Sequence, residues 1–370
     1  MAISGGGTAG HIYPALAVAA ALREPDGDHD SPAELLYLHG PGRRDLELMA
    51  HAGIEHRKLD VGPIRGTAPH RLALNLLRIG RATGQAAGAL RGFRAGAVLA
   101  TGGYVSAPAI LAARLLRIPV VLYLPDASPG MAVRVLAPFA TRIALSFPVT
   151  RHYFKGSKAI VTGYPVRHEF LEADRERARA AYSLRDDLPV VMVMGGSQGA
   201  QSLNLAVSDA LEPLLHHAQL IHLCGESDEQ QLRAQRARLD ESIRQRYHLF
   251  RYLHRGVADA MAASDLMVCR AGASTLAELP VLGLPAILVP GTFAGGHQEK
   301  NADFLVDEGA AIKVADAELR NGALLPAVLS LLEDRARLAE MAAEMRRLAR
   351  PEAAANIASL VRSVARRKRA

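Results

Sequence analysis

Apolar residues in this chain fall into two kinds of segment that alternate along its length. Short, nearly unbroken apolar runs, the pattern of strands buried on both faces, occupy 1–4, 34–38, 97–100, 118–124 and 159–162 in the first half. In the second half they occupy 190–194, 220–224, 266–269 and 286–290, and the more mixed segment 248–254 also reads as a strand. Stretches with helical spacing lie between them, at 15–22, 70–94, 171–184, 228–244 and 258–264, and from 321 to the end with a break at Pro351. That alternation predicts an α/β protein with parallel sheets. A length of 370 residues exceeds one ordinary core and predicts two domains. Each half opens as strand, glycine loop and helix, and Gly163-Tyr164-Pro165-Val166-Arg167 suits a hinge. The boundary is therefore expected after 163, with a ligand cleft between the halves.

The run at 190–194 ends abruptly in Gly195-Gly196-Ser197-Gln198-Gly199, after which a helix takes over. The first amides of a helix lack intrahelical partners and carry the positive end of its dipole, and glycines let a diphosphate approach the backbone. The loop is thus either an anion site or a plain strand-to-helix turn. It has neither the Gly-Lys-Ser/Thr of a P-loop nor the Gly-x-Gly-x-x-Gly of a dinucleotide fold. The first loop, Gly5-Gly6-Gly7-Thr8-Ala9-Gly10-His11, does satisfy the second spacing, but the strand at 34–38 ends in His39-Gly40 where a ribose-binding carboxylate belongs. No nicotinamide, flavin or other cofactor is expected.

Other candidate groups follow strand ends, where open parallel sheets bind ligands. His11 is a base, a donor to a ligand oxygen, or only a helix cap. Thr101-Gly102-Gly103-Tyr104 is a second glycine turn at the same sheet edge. Asp126 is the one carboxylate at the exit of the strand at 118–124, as a cap or in catalysis. Thr275 and Glu278 have capping-box spacing, which competes with a ribose-binding role for Glu278. His297 and Gln298 open a helix and suit either sugar hydroxyls or capping.

Composition narrows the partners. Apolar residues make up 49% and charged residues 22%, as in an ordinary soluble protein. A net charge of +7 and a pI near 9.6 favour an anionic partner. The basic residues are scattered without interleaved aromatics, so nucleic acid is not expected. Arg71, Arg78, Arg81, Arg91 and Arg94 flank an apolar stripe of Leu72, Leu74, Leu76, Leu77 and Ile79, which either lies on an anionic membrane surface or packs on a sheet. No apolar run reaches the roughly 20 residues that span a bilayer, and no signal peptide is expected. Cys224 and Cys269 lack metal-ligand spacing and read as buried free thiols, with no metal site expected.

Five of these motifs together resemble one family. Gly6-Gly7-Thr8-Ala9-Gly10-His11, Thr101-Gly102-Gly103-Tyr104-Val105-Ser106, Gly195-Gly196-Ser197-Gln198-Gly199-Ala200, Arg270-Ala271-Gly272-Ala273 with Glu278, and His297-Gln298 with Asn301-Ala302 are similar to MurG-type transferases of peptidoglycan synthesis, in order and over nearly the whole chain. The resemblance implies a GT-B fold of two Rossmann-like domains, 1–163 and 164–348, with a terminal helix at 349–370 returning to the first. It implies metal-independent, inverting transfer of N-acetylglucosamine from UDP-N-acetylglucosamine to the 4-hydroxyl of an undecaprenyl-diphosphate-linked muramoyl pentapeptide, by a peripheral protein on the cytoplasmic face of the cell membrane. By position, Ser197, Gln198 and Gly199 meet the donor diphosphate, Gly272 and Glu278 the ribose side, His297 and Gln298 the donor sugar, and the backbone near His254 the uracil. Arg167 faces the donor. Thr8, Ala9, Gly10, His11, Gly102, Gly103 and Tyr104 form the acceptor-side diphosphate loops, and His11 and Asp126 are the candidate bases.

One stretch departs from the family. Where it usually carries His-Glu-Gln-Asn, this chain has Tyr123-Leu124-Pro125-Asp126, with Leu124 at the glutamate and Asp126 at the asparagine. Ala9 stands at the usual third glycine of the first loop. The altered loop faces the acceptor, so two further readings stand beside the first. One is a related UDP-sugar transferase with another lipid acceptor; the other is a non-catalytic protein that binds a nucleotide sugar or lipid.

Overall fold

The computed structural model describes residues 1–6, 9–25, 32–41, 49, 52–62, 69–196, 199–253, 256–291 and 296–365. The chain divides into two compact units, Met1–Arg167 with Arg350–Ala370, and His168–Ala349.

The first unit is built on a seven-stranded sheet whose pairs are all parallel. Its strands are β1 (Ala2–Ser4), β2 (Leu36–His39), β3 (Glu55–Lys58), β4 (Val98–Ala100), β5 (Val120–Leu124), β6 (Arg142–Leu145) and β7 (Ala159–Val161). Their spatial order, β3-β2-β1-β4-β5-β6-β7, reverses between β1 and β4. In a doubly wound sheet that reversal opens a crevice at the strands' carboxyl ends. One face carries Leu36, Leu38, Val98, Ala100, Val120 and Leu122 into a core with the helices Pro69–Gly92, Ser106–Leu115 and Met131–Leu136. The helices Ala9–Arg23 and Ala353–Val364 pack on each other, and the second also packs on β5 and β6. Arg362 caps the end of the first by donating to the carbonyls of Leu22 and Glu24 (3.1 and 2.7 Å).

Proline inside a helix leaves the carbonyl four residues back without its N–H. In Ala9–Arg23 that proline is Pro14 and the carbonyl is Gly10, which instead accepts the Tyr164 hydroxyl at 3.4 Å. The expected hinge at 163–167 is therefore held against the first unit. Gly163 has φ +88°, and a Cβ there would lie 2.7 Å from Arg350 Cβ and 2.9 Å from Ala353 Cβ.

The second unit carries a six-stranded parallel sheet in the order β10-β9-β8-β11-β12-β13. Its strands are β8 (Val190–Met194), β9 (Gln219–Leu223), β10 (Tyr247–Phe250), β11 (Leu266–Cys269), β12 (Ala286–Leu288) and β13 (Ala311–Lys313). The order again reverses beside the first strand of the unit, between β8 and β11.

Three long helical expectations break where an aspartate can restart a helix. The stretch 171–184 becomes His168–Leu171 and Arg175–Ala181, with Asp174 Oδ1 accepting from Arg177 N at 2.7 Å. The stretch 228–244 splits at Asp240 into Glu229–Ala237 and Glu241–Arg244. Beyond 321, the helices Leu324–Glu333 and Arg335–Leu348 meet at Asp334, whose carboxylate accepts from Arg337 N at 2.9 Å. At Asp174 and Asp334 the carboxylate satisfies an orphan amide that a continuous helix would not expose, whereas Asp240 makes no side-chain cap bond.

Candidate active site

At the reversal in the first sheet, the ends of β1 and β4 build a seat for one imidazole. His11 lies in the first turns of Ala9–Arg23, and its Nδ1 is 2.9 Å from the Thr101 carbonyl. A carbonyl only accepts, so that partner assigns the proton to Nδ1 and leaves the lone pair of the neutral ring on Nε2. Thr101 closes the clamp by donating Oγ1 to the His11 carbonyl at 2.9 Å. The surrounding glycines are required by space. A Cβ on Gly5 would lie 2.0 Å from Thr101 Oγ1, and one on Gly102 (φ +108°) would lie 2.7 Å from His11 Nδ1. Ser106 ties the turn down, donating to Gly102 O at 2.8 Å and accepting from Gly102 N at 3.2 Å.

The altered stretch at the end of β5 is mostly core. Tyr123, Leu124 and Pro125 are buried, and only Asp126 reaches partial exposure. The Tyr123 hydroxyl donates to Ser146 Oγ at 2.7 Å, Ser146 donates on to Leu124 O at 3.0 Å, and the Tyr123 ring meets Tyr164 edge-on at 6.1 Å. Burial, reinforced by Tyr164 and Asp126 and only partly offset by Ser146, holds the Tyr123 phenol well above its ordinary value. Tyr123 is a structural phenol and no base. Arg167 belongs to this unit too, with its guanidinium 4.9 Å from the centre of the Tyr13 ring. Tyr104 is partly exposed, and its hydroxyl lies 3.3 Å from where a Cβ on Gly40 would sit.

In the second unit, β8 runs into a turn closed by Gly199 N donating to Gly196 O at 3.0 Å. Ala200 is the N-cap of Gln201–His217, with no side-chain cap bond. The helix amides thus open onto the loop, the arrangement that binds anions. Two glycines are forced by neighbours: a Cβ on Gly195 would fall 2.5 Å from Ala200 N, and one on Gly199 (φ +80°) would fall 2.6 Å from Cys224 O. Asn204 holds that Cys224 carbonyl from the other side through Nδ2 at 2.7 Å.

Behind the loop lies a buried polar chain. His222 Nε2 donates to Asn204 Oδ1 (3.0 Å), and its Nδ1 accepts the Tyr247 hydroxyl (2.9 Å). Burial pushes this imidazole down to about 3 from 6.5. The unfolded chain therefore takes up the proton first. The associated stability is complete above pH 6.5 and is lost as pH falls toward 3. Between about pH 7.5 and 5 this amounts to roughly 2 kcal/mol. Urea unfolding at both pH values should show that loss in the native protein and not in His222→Phe; equal losses in both would contradict it.

The next strand ends complete the edge. Arg270, leaving β11, donates Nη1 to Asp316 Oδ1 (2.6 Å) and Nη2 to Ser202 Oγ (2.8 Å), and Ser202 donates to the same carboxylate oxygen (2.7 Å). Burial works against the Asp316 charge, but hydrogen bonds from Ser202 and Arg270 prevail and hold its carboxyl below the usual range. This triad fixes the loops after β8 and β11 to the segment after β13, and the sequence pattern alone did not single it out. Thr275 is the first residue of Thr275–Leu282, behind Ser274 at the N-cap, and no side-chain cap bond forms. The capping-box alternative for Glu278 thus fails. Glu278 is buried, and its charge adds to burial in raising the Cys269 thiol. Gly272 lies in the same loop with ample room for a Cβ. Gln298 accepts from Gly291 N at 2.8 Å, closing the loop after β12, one residue past His297 at the helix start. Asn301 is buried and donates to Ala271 O at 3.1 Å.

The strand orders therefore gather His11, Gly102, Gly103 and Asp126 on one sheet edge, and Gly199, Gly272, Glu278, His297 and Gln298 on another. Thr8, Ser197, Gln198 and His254 lie outside the described residues, as does the side chain of Ala9.

The sequence profile of the glycosyltransferase family 28 N-terminal domain matches residues 1–145, and that of its C-terminal domain matches 190–357. The UDP-N-acetylglucosamine-N-acetylmuramyl-(pentapeptide) pyrophosphoryl-undecaprenol N-acetylglucosamine transferase of Roseiflexus sp. (strain RS-1) is 40% identical, over 98% of this chain and 94% of its own length. The protein of the same name from Halothermothrix orenii is 37% identical over 99% of each. Among solved structures, the crystal structure of Acinetobacter baumannii MurG matches with a TM-score of 0.78 at 27% identity, over 98% of this chain and 99% of that one.

Proposed function

From the premise that this chain belongs to glycosyltransferase family 28 and has the GT-B fold, we propose that it transfers N-acetylglucosamine from UDP-N-acetylglucosamine to the 4-hydroxyl of N-acetylmuramoyl-pentapeptide pyrophosphoryl-undecaprenol. The observation that carries this reading is likeness at 37–40% identity, end to end, to transferases of that name. In this reading each sheet edge supplies one part of the chemistry. His11 Nε2 takes the proton of the acceptor hydroxyl as that oxygen bonds to C1 of the donor sugar. The C1–oxygen bond to UDP breaks on the opposite face, giving inversion. The departing diphosphate is met by the amides at the start of Gln201–His217, which are oriented before reaction and need no reorganisation. Glu278 accepts from the ribose hydroxyls, and His297 and Gln298 hold the sugar. Between the two candidate bases, the assigned tautomer favours His11 and leaves Asp126 to position the acceptor. The burial of Tyr123 and Leu124 supports the same acceptor class, because most of the departure from the family pattern lies in the core. The acceptor-dependent release of UDP that tests this reading closes the Discussion.

The acceptor is a lipid, and the first unit has a surface suited to an anionic membrane. From residue 61 to residue 168 there are 14 lysines and arginines and a single carboxylate, Asp126. Pro69–Gly92, Ser106–Leu115 and Met131–Leu136 pack in succession, and they expose Leu77 (72%), Leu115 (74%) and Met131 (69%). Of the arginines on this surface, Arg81 has a carboxylate partner, Asp60 at 3.8 Å, and apolar side chains among arginines bind interfaces by insertion and by attraction to anionic lipid. No helix among the described residues is long and apolar enough to cross a membrane. The protein should sediment with phosphatidylglycerol vesicles at about 0.05 M salt and at least tenfold less at about 0.5 M. Failure to bind at low salt would remove the membrane from the account.

A further inference from the structure

The helix His297–Asp307 carries the two donor-sugar candidates in its first turn, yet it begins without a side-chain cap: Gly296 stands at its N-cap with φ +73°. The groups packed around the helix therefore set its aim. One of them is Lys313, the last residue of β13, in register with Leu288, the last residue of β12, at the carboxyl edge of the sheet. Its ammonium donates to Glu299 Oε1 at 2.7 Å and to Asp303 Oδ1 at 2.6 Å. Those two carboxylates are four residues apart and share one face of the helix. Their hydrogen bonds, Asp303 first and then Glu299, hold the lysine above its ordinary value, so the clamp keeps its charge.

The opposite face of the helix is held as well. Asn301 lies two residues from each carboxylate, about 160° round the axis. It is buried and donates Nδ2 to the Ala271 carbonyl at 3.1 Å. Anchors on opposite faces fix rotation about the helix axis, which one anchor alone constrains less. That rotation aims His297 and Gln298, the second of which also closes the loop after β12 by accepting from Gly291 N at 2.8 Å. Without the lysine, Glu299 and Asp303 would face each other as like charges at a spacing that repels. We propose that Lys313 is a positioning residue for donor-sugar recognition: by gripping Glu299 and Asp303 it holds His297 and Gln298 toward the sugar. This role rests on those two residues being the sugar contacts, and it concerns the sugar half of the donor alone.

Two ways of breaking the clamp change the net charge in opposite directions. Lys313→Met removes a positive charge, whereas Glu299→Gln combined with Asp303→Asn removes negative charge. Calorimetry on the full chain, with UDP-N-acetylglucosamine and with UDP, should show one pattern in both variants. Affinity for the sugar nucleotide should fall about fivefold, near the upper limit for partly exposed ion pairs, while affinity for UDP changes less than about twofold. Lys313→Arg keeps a cation able to reach both carboxylates and should restore the native ratio of the two affinities. Equal losses for UDP and the sugar nucleotide would mean general damage to the unit, and opposite shifts in the two variants would mean a charge effect on the diphosphate. Either result overturns the positioning role, as does native affinity for the sugar nucleotide in both variants. If the native protein binds UDP but not UDP-N-acetylglucosamine, the donor reading itself falls, and the role of Lys313 falls with it.

Discussion

His11→Ala should lower turnover by roughly 10²- to 10⁴-fold, the usual contribution of a positioned general base, with little change in the KM for UDP-N-acetylglucosamine. Thr101 O fixes the proton on Nδ1, so the variant removes the one ring nitrogen assigned to accept the acceptor's proton. Apart from Arg167, the donor groups belong to the other unit and are untouched. Asp126→Asn should have a smaller effect, expressed mainly in the acceptor KM, because it keeps the shape and loses only the charge. Steady-state kinetics with both substrates varied separates the two roles. If Asp126→Asn abolishes turnover and His11→Ala costs less than tenfold, the base has been assigned to the wrong residue.

Gly199→Ala should reduce kcat/KM for the donor by about 100-fold, mostly through KM. The cost has two sources: the residue sits at φ +80°, and the new Cβ would stand 2.6 Å from the Cys224 carbonyl. That carbonyl cannot retreat easily, because Asn204 holds it at 2.7 Å and Asn204 is itself bound to buried His222. The loop must move, and the amides aimed at the diphosphate move with it. A strained backbone position costs about 1–3 kcal/mol, and the steric conflict adds to that. Gly196→Ala is the control: it has φ +101° but meets nothing within 4 Å, so it should lose only about tenfold. Equal losses in the two variants would show that contact with Cys224 does not shape the site. The same kinetics in both variants as in the native protein would separate this loop from the donor.

The sequence disclosed the centre of each sheet and, of the four edge strands, β7 and β10 but not β3 and β13. β5 and β8 could be read because both their faces are buried, which makes the apolar run continuous. β3, Glu-His-Arg-Lys at a sheet edge, has no apolar residue to announce it. β6 and β13 are short and carry Arg142 and Lys313. Glycine loops were legible because positive φ and close approach leave few alternatives to glycine. What the loops hold was less so. His11 and Thr101 are 90 residues apart, and Arg270 meets Ser202 and Asp316 across 68 and 46 residues. Only the strand order brings those groups together. The altered stretch at 123–126 reads from sequence as a changed acceptor loop. Burial of Tyr123 and its bond to Ser146 make it chiefly a changed core.

The most direct measurement is UDP release from UDP-N-acetylglucosamine by the purified protein, with and without a short-chain muramoyl-pentapeptide pyrophosphoryl lipid, in buffer containing a chelator. The account predicts release at least tenfold faster with the acceptor, undiminished by chelation because backbone amides and a helix dipole meet the leaving diphosphate. Binding of the donor with no acceptor-dependent release would contradict the assigned acceptor, and release that disappears with the chelator would contradict the assigned mechanism.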